Sequence, residues 1–470
     1  MYSPHLTVYE ELKNGVYQSP SSYLVAMKYR MKDFNPVNVR ERLEFVLQRD
    51  DIDEIVAVEE GDDGYLNIIL SAIYDEDDNK DSEPVFFMFT VKLFDNDQPD
   101  EWAYEVAEYR NRNLLEDERV AMHQAEQILE CYTFLNLAYP QTHLMLQFAV
   151  MSAIAGKSYA VQDRIASTFL SGAWLAEMAQ TYVPPSLELC YVIHAITPDD
   201  AEHGEYWLHT HGLLKFGLPE LEILRVTRQQ LSVCQGMIST TATRLLGEPE
   251  IWYRDENDLI AHNAQGGLSI RLLSWQDTLT SGVLESKKGG IRSLFKSSAE
   301  SFSGDFSERE ADEIHTEPSM VILADVDGET APLSAFGEQL SEDNHTMFLL
   351  PNAETARMYY LAKEKLPLFQ ECFHRFAPEQ GQWGYMMKIH CHSESTDNTE
   401  HMWFVVKDIN EEMVTATLVN EPFNIPEMHK DEVYTIALDQ VTDWTIYSTP
   451  LQAQITPNEA FRLRKFLSEG

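Results

Sequence analysis

Basic residues are scarce in this chain: 35 Lys and Arg stand against 77 Asp and Glu, a formal net charge of −42 over 470 residues. Such a surface lacks the cationic contacts whose counterion release drives nucleic-acid binding, so nucleic acid is not an expected partner. Cysteine is sparse as well. Cys131, Cys190, Cys234, Cys372 and Cys391 lie far apart, are odd in number and form no Cys-x-x-Cys pair. That pattern suits free thiols in a reducing compartment and places the chain in the cytoplasm. Long hydrophobic runs are missing: the most apolar, residues 143–156, is too short to span a bilayer, and residues 1–18 show no basic region leading into an apolar stretch. Neither membrane insertion nor a cleaved secretion signal is expected. Fingerprints for dinucleotides, phosphate loops, serine elbows and His-Glu-x-x-His zinc helices are absent too, which leaves no motif-based assignment to an enzyme class.

What the chain does have is core material, with 44% apolar and 11% aromatic residues. At this length about three domains are expected. Apolar periodicity predicts an α+β, multi-domain protein: two N-terminal α+β units and a small C-terminal β-rich, barrel-like domain. The first unit, residues 1–118, reads as strands at 23–29, 55–59, 66–74 and 85–94 with a helix at 36–48. Its turns carry acid, at 59–64 and 75–81, read as solvated loops or as a face for a basic partner or calcium. The second, residues 119–280, reads as helices at 115–134, 171–181 and 228–246, the last closed by a left-handed Gly247, and strands at 144–153, 188–195 and 206–214. Residues 281–318 are rich in Ser, Gly and charge and read as a flexible linker. Residues 319–470 begin with a strand at 320–326 and a long helix at 353–374. Five short strands follow between 385 and 446, the spacing of a small sheet or partly open barrel.

Two stretches resemble known families. Glu400-His401-Met402-Trp403-Phe404, Leu418-Val419-Asn420-Glu421-Pro422 and Asp443-Trp444 occur in the order found in the YegJ-like domain of unknown function of bacteria, over residues 365–448. Trp207-Leu208-His209-Thr210-His211-Gly212-Leu213 with Phe216-Gly217-Leu218-Pro219-Glu220-Leu221-Glu222 resembles a second uncharacterised bacterial family that often precedes that domain, covering most of the first 270 residues. The resemblance implies a bacterial origin and an architecture, and no activity.

Chemistry is carried by histidine. His209 and His211 are two apart, which on a strand places both rings on one face. If residues 188–195 form the neighbouring strand of a hairpin with Ile196 opposite Glu205, Cys190 falls opposite His211, and the three make a zinc ligand set with an open fourth position. The alternative is structural: imidazoles held by hydrogen bonds at a strand end, and Cys190 a small core residue. A second cluster joins His390 and His392, on one face of their strand, to His401 across a polar loop. It reads as a metal or pH-sensitive site or as a solvated edge.

Two functions therefore compete. In the first, the chain is no enzyme and holds no cofactor; it is a protein-binding interaction protein, in one version immunity- or antitoxin-like, whose acidic surface meets a basic protein partner. In the second it is a zinc-dependent hydrolase built on His209 and His211.

Overall fold

A computed structural model describes residues 4–44, 46–72, 83–96, 111–197, 205–284, 302–311, 313–341, 344–377, 381–393 and 395–469. Three sheets are built from three successive stretches of chain. Strands β1 (Ser21–Met27), β2 (Glu54–Glu60), β3 (Leu66–Ala72), β4 (Val85–Asp95), β5 (Gln127–Thr133), β6 (Ser158–Asp163) and β7 (Thr168–Ser171) form the first, in the order β2-β3-β4-β5-β1-β6-β7. β5 thus lies between β4 and β1, so this sheet draws on both sides of residue 118.

Strands β8 (Val192–Ile196), β9 (Tyr206–His211), β10 (Glu220–Val226), β11 (Asp258–Asn263), β12 (Gly266–Ser274), β13 (Ser319–Val326), β14 (Glu329–Ala331) and β15 (Met347–Phe348) form the second. Its order is β15-β11-β12-β13-β10-β9-β8, with β14 on β13. The pairing of β10 with β13 is parallel, Glu220 facing Ser319. Parallel neighbours need a long crossover, and here it runs through the helix Leu231–Gly247, β11, β12 and the segment that precedes β13. The residues just before Ser319 are thereby delivered to the start of β10, beside the end of β9.

The third sheet comprises β16 (Trp383–His392), β17 (Thr399–Ile409), β18 (Met413–Leu418), β19 (Val433–Ala437), β20 (Val441–Ser448) and β21 (Ala453–Ile455). It is open and antiparallel, in the order β19-β18-β17-β16-β20-β21. Alternating apolar residues turn inward onto the helices Asn352–Glu364 and Leu366–Phe376 and bury Trp444, whose Nε1 donates to Ala362 O at 3.1 Å. Trp403 stays half-buried.

The first two sheets share one apolar core; the third has its own. Ion pairs tie the parts together. Lys215, from the second sheet's β9–β10 turn, is fully buried against Asp163 of β6. Lys365 and Arg464 each approach the Glu177 carboxylate to 2.5 Å, joining the C-terminal part of the chain to the helix Gly172–Met178.

Several local expectations fail for identifiable reasons. The helix expected over 115–134 stops at Ala121, and 127–133 is β5: a seven-residue stretch with Ile128, Leu129, Cys131 and Tyr132 as its apolar residues is ambiguous by period, and ladder bonds to two strands decide it. Residues 144–153 are helical, within Pro140–Ala155. Pro140 opens that helix, Gly156 at φ +68° closes it, and burial on nearly every side erases the amphipathic period. Gly247 is the last helical residue and has no positive φ. The stretch 353–374 breaks at Lys365, because Pro367 lacks an N–H and fits only a helix's first turn. Residues 187–189 form a turn, and β8 begins at Val192. Of the expected linker, 285–301 and 312 lie outside the described residues. From residue 302 the chain packs against the second sheet, with a helix at Phe306–Ala311 and a turn at Glu313–Thr316.

Candidate metal centre

Alternation along β9 turns Trp207, His209 and His211 to one face. The neighbouring strand pairs with Val192 opposite His211, His194 opposite His209 and Ile196 opposite Trp207. This register differs by two residues from one placing Ile196 opposite Glu205. A two-residue shift keeps every side chain on its face and slides it along the strand. Val192 therefore takes the place opposite His211, and His194 joins the two imidazoles. One ligand atom from each of His194, His209 and His211 lies within 4.8 Å of the others. Their ring centroids are 5.0–5.2 Å apart.

Cys190 is elsewhere. It follows the turn Leu187–Leu189, its Sγ lies 3.9 Å from Ser186 O, and burial, with Asp163 adding to it, pushes its thiol up to about 12 against the opposing pull of Lys215. Gly212, just after His211, approaches this turn so closely that a Cβ would sit 2.6 Å from Cys190 O, and its φ is +122°. The glycine-containing turn 212–217 is held by Glu220, whose Oε1 accepts from the N–H groups of Gly212, Leu213 and Leu214 at 2.8, 2.9 and 3.2 Å.

The packed segment 302–316 closes over the histidines. Arg309, 1% exposed, forks onto the Glu222 carboxylate from β10 and lies 4.5 Å from the Trp207 and Trp275 rings. Its Nε donates to Gly304 O at 2.8 Å and its Nη1 to His315 O at 3.2 Å. Glu222 also accepts from Trp207 Nε1 at 2.9 Å and from the Ser319 hydroxyl. So fastened, His315 brings its Nε2 to 3.0 Å from His209 Nε2. Burial, then the neighbouring His211, His315, His194 and Arg309, hold the His209 imidazole neutral far below its ordinary range. Its Nδ1 is buried and has no hydrogen-bond partner among the described residues. Glu317 borders the same small cavity, its carboxyl pushed up to about 7 by burial and by Glu220.

These residues fit a transition-metal ion. Three imidazole nitrogen donors, one of them on a buried ring with its Nδ1 unmet, are the kind of set a zinc-like ion uses, and an unsatisfied buried imidazole nitrogen is otherwise costly. His194 and His315 escaped the sequence reading. His194 shares the inward parity of 190 and 192, a signal present in the alternation itself; His315 sits in a stretch whose composition resembles a linker.

The second cluster is arranged differently. His390 stands opposite His401, their rings stacked at 4.7 Å, while His392 stands opposite Thr399 and approaches Asp397 at 3.5 Å. His401 Nδ1 is 3.1 Å from the Thr442 hydroxyl, and burial with His390 and Lys388 lowers its pKa. Among the described residues these three do not form a ligand group of the kind found on β8 and β9.

Fold and site together define a multi-domain α+β protein with a histidine-lined candidate metal centre in its second sheet. Residues 22–185 match the N-terminal part and 193–323 the C-terminal part of a family described as protein of unknown function DUF4026. Residues 357–453 match the family described as uncharacterized protein conserved in bacteria, DUF2314. The chain belongs to the DUF4026 family and carries a DUF2314 domain behind it; the YegJ name is not among these descriptions. The bacterial character expected from the sequence fits the last of them. All three matched segments are of unknown function, and the histidine centre lies within the C-terminal DUF4026 part. No curated protein and no solved structure matches the chain. Among the described residues no helix is long and apolar enough to cross a membrane.

Proposed function

We propose that this is a metal-binding protein whose second sheet holds one divalent transition-metal ion, zinc first, on His194, His209 and His211. The observation that carries the reading is the convergence of their three ligand atoms within 4.8 Å. Donors about 2.0–2.1 Å from a shared ion stand roughly 3.3 Å apart in a tetrahedral set, a contraction that small side-chain rotations supply. The imidazoles would hold the ion, with Glu222, Arg309 and Trp207 keeping His209 in place. When bound, such an ion acts as a Lewis acid toward water or a carbonyl oxygen, so hydrolysis is the reaction class this reading favours. Cys190 has no part in it. The interaction-protein reading, with its immunity-like version, rests on the −42 net charge. Its acidic stretch 75–81 lies outside the described residues.

Metal analysis of the purified chain decides the matter. The expected result is near-stoichiometric zinc or another first-row divalent ion, lost in a His209→Ala, His211→Ala variant that still folds. A wild-type chain that stays metal-free after dialysis against zinc would overturn the proposal and leave the interaction reading.

A further inference from the structure

We infer that His315 is a positioning residue for this centre: it accepts a hydrogen bond from His209 Nε2–H and so commits the other ring nitrogen, Nδ1, to the ion. The inference rests on the metal reading above. It follows from how the two nitrogens of His209 are disposed. Nε2 faces His315 Nε2 at 3.0 Å, a hydrogen-bond distance, and one of the two atoms must carry the proton. Nδ1 is buried without a partner among the described residues, and a neutral imidazole has one proton to place. With the proton on Nδ1, a buried donor would go unmet; with the proton on Nε2, the hydrogen bond to His315 is made and the Nδ1 lone pair turns to a cation. Nδ1 and Nε2 of one ring cannot both reach the same ion, so a ring held by His315 through Nε2 coordinates through Nδ1. Ligating imidazoles characteristically donate their second N–H in this way.

The segment carrying His315 is built to hold that contact. Arg309, buried between Trp207 and Trp275, grips the Glu222 carboxylate with its guanidinium and the His315 carbonyl oxygen with Nη1. The Trp207 ring lies 4.4 Å from His209 and 4.9 Å from His315, so one indole backs both imidazoles. Glu222 stands directly opposite His209 on the neighbouring strand. The sheet and the segment are thus locked to each other beside the imidazole pair.

The test uses the full-length protein, zinc titrations with a competing chelator, and His315→Phe and His315→Gln variants. The phenyl ring keeps the volume and removes the acceptor; the carboxamide oxygen restores one. His315→Phe is expected to weaken zinc binding by about 10–100-fold, with His315→Gln recovering most of it. Nitrogen-15 spectra of the wild-type zinc form should show His209 protonated at Nε2. If the wild type binds no metal, the metal reading itself fails. If it binds zinc and His315→Phe binds equally well, or if His209 carries its proton on Nδ1, the positioning role is wrong. Loss of one imidazole from the zinc coordination shell in His315→Phe, read by X-ray absorption, would make His315 a direct ligand and overturn the assignment.

Discussion

Arg309 Nη1 donates to Glu222 Oε1 at 3.0 Å in a pair whose side chains are 1% and 3% exposed. Nothing in the local composition of residues 302–316 announces this, yet it is what fastens the segment to β10. A buried carboxylate that loses its cation keeps its desolvation penalty without compensation. Arg309→Met should therefore cost about 3–5 kcal/mol and free residues 302–316 for early proteolysis. Adding Glu222→Gln should restore part of the loss, measured as chemical denaturation midpoints of the single and double variants. A single variant as stable and as protease-resistant as wild type would show that the pair does not hold the segment.

All five cysteines are buried and unpaired. Burial pushes the thiols of Cys131, Cys190, Cys234 and Cys372 up to about 12 and that of Cys391 up to about 11. Because the thiolate is the reactive species, the native protein at pH 8 should be nearly inert to an aromatic disulfide reagent, and all five thiols should react once it is denatured. Cys190→Ala should leave the metal content of the purified protein unchanged; a zinc stoichiometry that drops in this variant would return Cys190 to the ligand set.

His143 predicts how stability responds to acid. Its Nδ1 accepts from Asn136 N at 2.8 Å, the ring lies between Phe87 and Phe89, and burial lowers its pKa from 6.5 to about 4. The unfolded chain takes up a proton below about pH 6.5 while the folded chain does not until about pH 4. Its contribution is thus intact above 6.5, falls as the pH drops through that window by up to about 3 kcal/mol, and changes no further below 4. His143→Gln, which offers an acceptor and a donor but does not titrate, should flatten that part of the profile in urea denaturation followed from pH 7 to pH 4. An unchanged slope in the variant would assign the acid sensitivity to other groups.

The C-terminal sheet was the most legible part of the chain. Strands expected at 385–392, 401–408, 412–418, 432–437 and 441–446 correspond to β16 through β20 within a few residues, helped by the clean two-residue alternation of β16 and β18, each with one face on the core. The helix Pro140–Ala155 was illegible for the opposite reason: burial on nearly all sides removes the contrast on which periodicity depends.

The candidate site divides along the same line. That His209 and His211 share a face follows from strand geometry alone, since it needs only a period of two. Which residue stands opposite them does not, because register is set by the match of two strands across a connection, and the two-residue difference brings in His194 and leaves Cys190 at the preceding turn. His315 is further removed still: it lies 104 residues beyond His211, and the parallel pairing of β10 with β13 returns it to the same face. Composition, charge, cysteine spacing and strand parity were determined by the sequence itself, being properties of residues taken singly or a few at a time. The union of His194, His209, His211 and His315 was decided only by the tertiary structure, because contacts across a sheet and through a long crossover depend on the packing of the whole second sheet.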